Sequence, residues 1–390
     1  MKFEFSTARR IVFGPGTAEQ IPSLVAAYGK HAFVVVGRKA DRLTAVLDAV
    51  VARNVAVTVF NVTAEPTTEM AQAAVVAARE AKADVVLAIG GGSVLDIGKV
   101  ASAMLKNEGD LSEYLEVVGK GKPLREPAAP LLAVPTTAGT GAEVTYNAVL
   151  GVPHQQVKVS IRSPLMLPRQ AIVDPQLTYS MPPEVTASSG LDALTQLIEA
   201  FVSNKSTPLT DGFCREGMQR VARSFRLAFE DGANAQARED MSLASLLGGL
   251  ALANAKLGAV HGFAGPLGGM TSAPHGVICG RLLPFVMQAN VQALRNHDES
   301  PNEETASILA RFDEIGRILT GKNTADASDG VSWVGDLCLS LDLPGLRKHG
   351  LSTVDFPIVV ERARKASSMQ GNPVVLSDEE LTTILSRAIG

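Results

Sequence analysis

Two pairs of side chains in this 390-residue sequence have the chemistry of metal ligands at an informative spacing. Asp192 and Gln196 stand four apart in SSGLDALTQLIEAFVS (188–203), a segment of helical periodicity, so a carboxylate and an amide oxygen share one face. His261 and His275, two of only six histidines, are each followed by glycine within an apolar, Gly-rich stretch. One carboxylate, one amide oxygen and two imidazoles make a four-donor set for a divalent first-row metal such as Fe2+ or Zn2+. The same residues can also be read as hydrogen-bonded core histidines and a polar helix face, and both readings stay open at this point.

A second constellation suits an anion. The apolar run DVVLAI (84–89) leads into Gly90-Gly91-Gly92-Ser93 and then into a helical stretch carrying Asp96 and Lys99. Glycines let the backbone turn tightly, and the N-terminus of the following helix offers unpaired N–H groups and the positive end of its dipole to a phosphate. The usual G-x-G-x-x-G fingerprint is not met, because its third glycine would fall at Leu95. A second loop, PTTAGTGAEVT (135–145), follows another apolar run and adds the hydroxyls of Thr136, Thr137 and Thr140. Together the loops favour a dinucleotide over a turn without a ligand. The run AFVVV (32–36) ends at Gly37-Arg38-Lys39, which supplies room and positive charge where a free ribose 2′-OH would want an acidic residue. NADP is therefore preferred modestly over NAD, the alternative being a solvated basic turn.

These residues must be positioned by regular elements. From residue 30 to about 135, short apolar runs (32–36, 55–60, 84–89 and 131–135) alternate with helical patterns (44–54, 69–82 and 94–105). Nearly continuous apolar strands separated by helices indicate a parallel sheet covered on both faces. After Pro182-Pro183 helical patterns take over at 183–203, 209–228, 237–256, 303–320, 326–341, 353–367 and 377–389, the last opening with Ser377 and Glu380 at capping-box spacing. The expected architecture is an α/β N-terminal domain, doubly wound, mostly parallel and Rossmann-like, over 1–180, then an all-α domain over 181–390. Ligands in such an arrangement belong in the cleft, beyond the carboxyl ends of the strands.

Composition narrows the function classes. Hydrophobic residues make up 46% and charged residues 19%, which excludes disorder and coiled coil. A net charge of −4 gives no footprint for a phosphate backbone, so nucleic acid is not an expected partner. Cys214, Cys279 and Cys338 are too few and too scattered for a disulfide scaffold. The charged start MKFEFSTARR does not read as an export signal, and the longest apolar stretch, 243–255, is too short to span a bilayer and reads as a core helix. A cytoplasmic protein without a membrane partner is expected.

The segments GGGSVLD (90–96), PTTAGTGAEVT (135–145), GLDALTQLIEAFVS (190–203), VHGFAGPLGG (260–269) and PHG (274–276) resemble the iron-containing (group III) alcohol dehydrogenase family, whose fold is shared with glycerol dehydrogenase and dehydroquinate synthase. The resemblance runs from an N-terminal hairpin to GNPVVLSDEEL (371–381). It implies a metal held by Asp, His, His and His. Asp192, His261 and His275 match three of these, and Gln196 stands at the fourth. A family histidine associated with proton relay would fall at Gly265, so the relay must differ. The family's acidic selector for NAD aligns with Gly37.

The resemblance further implies Lys158 near the nicotinamide ribose and catalytic roles for Lys158, His261 and His275. It places Gly91, Gly92, Ser93, Asp96, Thr136, Thr137, Thr140 and Leu177 with Gly37, Arg38 and Lys39 around the cofactor, and Asn147 and Phe263 in the substrate pocket. The implied activity is hydride transfer between an alcohol and its aldehyde or ketone, in a homodimer for which KFEF (2–5) is read as a pairing strand edge. A metal-free maleylacetate-type reductase, a dehydroquinate-synthase-like lyase and a nucleotide-binding relative without turnover are the alternatives.

Overall fold

The computed structural model describes residues 2–38, 43–296 and 303–390. The chain divides into two compact units, Phe5–Ser180 and a helical unit of Met181–Gly390 joined by the first residues up to Glu4.

The first unit is built on β1 (Ile11–Phe13), α1 (Ile21–Tyr28), β2 (His31–Val36), α2 (Thr44–Val51), β3 (Ala56–Asn61), α3 (Thr68–Glu80), β4 (Val85–Gly90), α4 (Gly92–Met104), β5 (Leu131–Pro135), β6 (Asn147–Val152), β7 (Val157–Arg162) and β8 (Gln170–Val173). Six strands form one sheet in the order β1-β8-β5-β4-β2-β3, and every pair is parallel. The apolar strands are apolar because both faces are covered. Phe33, Val35, Val86, Ala88, Leu131 and Ala133 pack on one side with α3 and α4. Ala32, Val34, Val36, Val85, Leu87, Ile89 and Val134 pack on the other with α1 and α2. This is the period of two expected of a strand.

The chain runs outward in one direction from β2 to β3 and in the other from β4 to β5 and β8, so the order reverses between β2 and β4. Crevices beyond strand ends at such a reversal are where open α/β sheets bind ligands. The ends that meet there are Gly37-Arg38 after β2 and Gly91-Gly92 after β4, since Val36 pairs with Ile89. Gly90 pairs with Pro135, which places the threonine loop alongside. The strands β6 and β7, which carry Asn147 and Lys158, form a separate antiparallel hairpin.

The helical unit contains α5 (Pro183–Val202), α6 (Pro208–Glu230), α7 (Ala235–Asn254), α8 (Ala259–Met270), α9 (His275–Asn296), α10 (Glu303–Thr320), α11 (Ala327–Ser340), α12 (Phe356–Lys365) and α13 (Asp378–Ala388). The capping box at Ser377 and Glu380 forms and starts α13. Among the described residues one helix, α9, is long and apolar enough to cross a membrane, and 72% of that stretch is buried, as in a core helix.

Helices α8 and α9 were not legible from periodicity. Each contains a proline, Pro266 or Pro284, and α8 is rich in glycine, so their intrinsic propensity is low and packing decides their conformation. The expected N-terminal hairpin is corrected: residues 2–5 pair with no strand of their own chain, and the sheet edge beside β8 is occupied by Ile11–Phe13 in parallel, so no N-terminal hairpin forms among the described residues. An alternating sequence becomes a strand only where its backbone finds a partner.

The approach of α9 to α5 depends on Gly276. A Cβ there would stand 1.9 Å from the Ser188 carbonyl oxygen, a backbone atom that cannot swing aside. Replacing Gly276 with Ala should therefore force the helices apart and cost roughly 1–3 kcal/mol, read as a lowered midpoint in chemical denaturation. The same change at Gly335 in α11, where a Cβ meets nothing within 4 Å, should be neutral or stabilise by up to about 1 kcal/mol. Equal effects at the two sites would contradict the packing argument.

Candidate metal centre and nucleotide site

Three helices of the second unit bring their polar side chains to one point. Asp192 projects from the buried middle of α5, His261 from the first turn of α8 and His275 from the first residue of α9. Asp192 Oδ1 lies 3.4 Å from His261 Nε2 and 3.6 Å from His275 Nε2. A fourth side chain joins them. Cys279, one turn beyond His275 on α9, has its Sγ 3.8 Å from Asp192 Oδ1, 4.0 Å from His261 Nε2 and 3.7 Å from His275 Nε2. One donor atom from each of the four lies within 4.8 Å of all the others. Asp192 and Cys279 are buried, and His275 is the open edge, with 34% of its side chain exposed against 9% for His261.

Electrostatics follow from the burial. Desolvation pushes the Asp192 carboxyl upward, but His275, His261 and the Gln196 amide outweigh it and hold it below its ordinary range. Burial likewise works against the charged imidazoles, yet Cys279 and Asp192 raise His275, and with Glu199 raise His261 well above the usual histidine value. Burial raises the Cys279 thiol and the two imidazoles overcome that, leaving it lowered.

Glu199 is a functional residue that the sequence reading missed. It lies one helical turn past Gln196 on the same face of α5, and its carboxylate accepts from the Val260 amide at 2.6 Å and contacts His261 Nδ1 at 2.7 Å. It thus caps α8, whose preceding residue, Gly258, has no side chain to do so, while Asn372 Oδ1 accepts from the Ala259 amide at 3.1 Å. With Nδ1 donating to Glu199, Nε2 is the nitrogen left facing the cluster. The available signal was the position of a carboxylate at i+7 from Asp192 in an otherwise apolar helix.

Gln196 also sits on this face, hydrogen-bonded to Asp192. An amide beside a carboxylate must present its nitrogen, and the Gln196 oxygen accordingly lies on the Gly248 side, 3.1 Å from where a Cβ on that residue of α7 would be. Phe263 is wholly buried. At Gly265, a turn beyond His261, a Cβ would meet nothing within 4 Å.

In the first unit the glycine turn and the threonine loop interlock. A Cβ on Gly92 would stand 2.9 Å from Thr140 Cγ2, and one on Gly91 would stand 3.3 Å from Thr137, so the threonine loop packs directly on the backbone where Gly92 begins α4. Thr136 continues directly from β5, its amide donating to the Gly90 carbonyl at 3.0 Å. Leu177 follows β8 in a short turn of 3-10 helix. Asp96 turns inward instead, accepting from the Val149 amide at 3.0 Å and pairing with the buried Lys99 at 3.5 Å. Lys99 in turn donates to Thr145 and to the Asn147 carbonyl, both at 2.8 Å, which ties the hairpin to α4. Lys158 pairs with Glu65 at 3.2 Å. Arg38 is exposed and its Nε donates to the Thr63 carbonyl. A Cβ on Gly37 would come no closer than 3.9 Å to Val94, so that position tolerates a side chain. Lys39 lies outside the described residues.

The cluster generates two expectations. Glu199→Gln should weaken divalent-metal binding by about 10–100-fold, the cost of losing a carboxylate that orients a ligating histidine, measurable by competition with a chromophoric chelator. Because the imidazoles hold their protons above the ordinary range and a metal requires the neutral ring, binding should release protons and tighten as pH rises. Calorimetry in buffers of differing ionisation enthalpy would reveal this, and affinity independent of pH would contradict it.

Both parts of the chain match known families. Residues 8–175 match the family described as iron-containing alcohol dehydrogenase, and residues 186–389 match the Fe-containing alcohol dehydrogenase family, C-terminal. The chain is 37% identical over 312 residues to a 1,3-propanediol dehydrogenase of Klebsiella pneumoniae, covering 80% of this chain and 77% of that one. It is 32% identical to a 4-hydroxybutyrate dehydrogenase of Cupriavidus necator, covering 85% of each. A crystal structure of 1,3-propanediol oxidoreductase superposes over 100% of both chains with a TM-score of 0.89 and 31% identity. A sulfoacetaldehyde reductase from Bifidobacterium kashiwanohense in complex with NAD+ covers 100% of this chain and 99% of its own, with a TM-score of 0.85 and 28% identity. Sequence, fold and ligand cluster agree: the chain belongs to the iron-containing alcohol dehydrogenase family and is a metal-dependent oxidoreductase of alcohols and aldehydes.

Proposed function

We propose that this enzyme interconverts a small alcohol and its aldehyde or ketone with NADP as the preferred hydride carrier. The observation that carries the reading is the convergence of Asp192, His261 and His275 from three helices onto one point. Their donor set suits the divalent ion of the family, and the strand ends at the sheet reversal suit a dinucleotide. When bound, the ion would act as a Lewis acid on the substrate oxygen and the nicotinamide would carry the hydride.

Residues 1–180 are assigned to the dinucleotide and 181–390 to the ion and substrate. The backbone at Gly91, Gly92 and Ser93 offers N–H groups and the dipole of α4 to the pyrophosphate, and Thr136, Thr137 and Thr140 add hydroxyl donors. Lys158 and Asn147, held on the hairpin, are assigned to the nicotinamide ribose and the substrate. Asp96 acts by anchoring that hairpin. Since His275 is the most exposed of the three ligands, substrate is expected to reach the cluster from its side. With glycine at 265, the substrate proton cannot pass to a side chain there.

The terminal nitrogens of Arg38 and the space at Gly37 favour a 2′-phosphate. A charge-assisted contact should be worth about 1.5–3 kcal/mol, or roughly tenfold to a hundredfold in kcat/KM for NADPH over NADH. Gly37→Asp should reverse the ratio by placing a repelling charge there and an acceptor for a free 2′-OH. Steady-state rates with both cofactors and a panel of aldehydes test the two claims together. Equal efficiencies that Gly37→Asp leaves unchanged would refute the cofactor preference, and no NADPH or NADH oxidation with any aldehyde by the metal-loaded enzyme would refute the activity.

A further inference from the structure

We infer that Cys279, not Gln196, supplies the fourth donor of the ion site, making it an Asp192–His261–His275–Cys279 set. The inference rests on the proposed ion binding and specifies its chemistry. A tetrahedral ion with bonds of about 2.0–2.1 Å to nitrogen and oxygen and about 2.3 Å to sulfur has donor–donor edges of roughly 3.3 Å, or roughly 3.6 Å where sulfur is included. Asp192 stands 3.4 and 3.6 Å from the two imidazole nitrogens, and Cys279 Sγ stands 3.8, 4.0 and 3.7 Å from the other three donors. These five donor–donor distances are close to tetrahedral edges and slightly longer, and all four atoms lie within 4.8 Å of one another.

The packing holds Cys279 there. It is four residues after His275, so both share one face of α9, and the same helix is pressed onto α5 at Gly276 and at Gly280, where a Cβ would meet Leu191 at 2.6 Å. Gln196 has its amide hydrogen-bonded to Asp192 and packed beside Gly248. A thiolate shifts the site's selectivity toward zinc.

Titration of the metal-free enzyme with Co2+ tests the assignment, because thiolate coordination produces an intense near-ultraviolet charge-transfer band that oxygen and imidazole donors do not. The wild-type protein should develop that band with one equivalent of cobalt. Cys279→Ser should lose the band and bind cobalt at least about tenfold more weakly, while Gln196→Ala, folded by circular dichroism, should keep the band. Cobalt bound by the wild type without the band, a band that survives Cys279→Ser, or a band lost in folded Gln196→Ala would each overturn the inference. Stoichiometric binding without the band would leave Asp192, His261 and His275 as the ion site and reject only Cys279, whereas no cobalt binding would reject the ion site itself.

Discussion

A carboxylate buried in the middle of an apolar helix sets the terms for the whole helical unit. Asp192 sits on α5 among Leu191, Ala193 and Leu194, and removing such a group from water is costly unless opposite charge comes close. The opposite charge arrives on the first turns of α8 and α9. That in turn requires α9 to lie against α5, which Gly276 and Gly280 permit, and α8 to start where it does, which Glu199 and Asn372 secure by capping it from outside. Packing and ligand geometry are here a single arrangement, since the residues that bring the helices together are neighbours of those that bear the donors.

The first unit meets a different constraint. A parallel sheet buried on both faces leaves only its strand ends available for polar chemistry, and the reversal of strand order between β2 and β4 opens a crevice at those ends. Glycine dominates there for steric reasons, because the turn at Gly92 packs against Thr140 with no room for a side chain. Beneath the turn, Asp96 and the buried Lys99 connect α4 to the hairpin, so the glycine turn and the segment bearing Lys158 and Asn147 are fixed relative to each other.

The first unit was legible because its strands are continuous apolar runs between amphipathic helices, and both candidate loops fall at strand ends as the pattern required. Asp192, His261 and His275 were legible as residue types, and the resemblance joined them. What escaped had physical causes. Helices α8 and α9 form against the propensity of their glycines and prolines, so no local period announced them, and without α9 the four-residue step from His275 to Cys279 had no meaning. Glu199 was hidden because a carboxylate on a helix face is ordinarily solvated, and only the fold reveals that this one is a cap.

The proposed activity requires one divalent ion held in the helical unit. The most direct test is to strip the enzyme with a chelator, add Fe2+ or Zn2+ in small increments under anaerobic conditions, and follow NADPH-dependent aldehyde reduction. The stripped enzyme should show negligible activity, with a linear rise that breaks at one equivalent per chain. Full activity in protein shown by elemental analysis to be free of metal would contradict it.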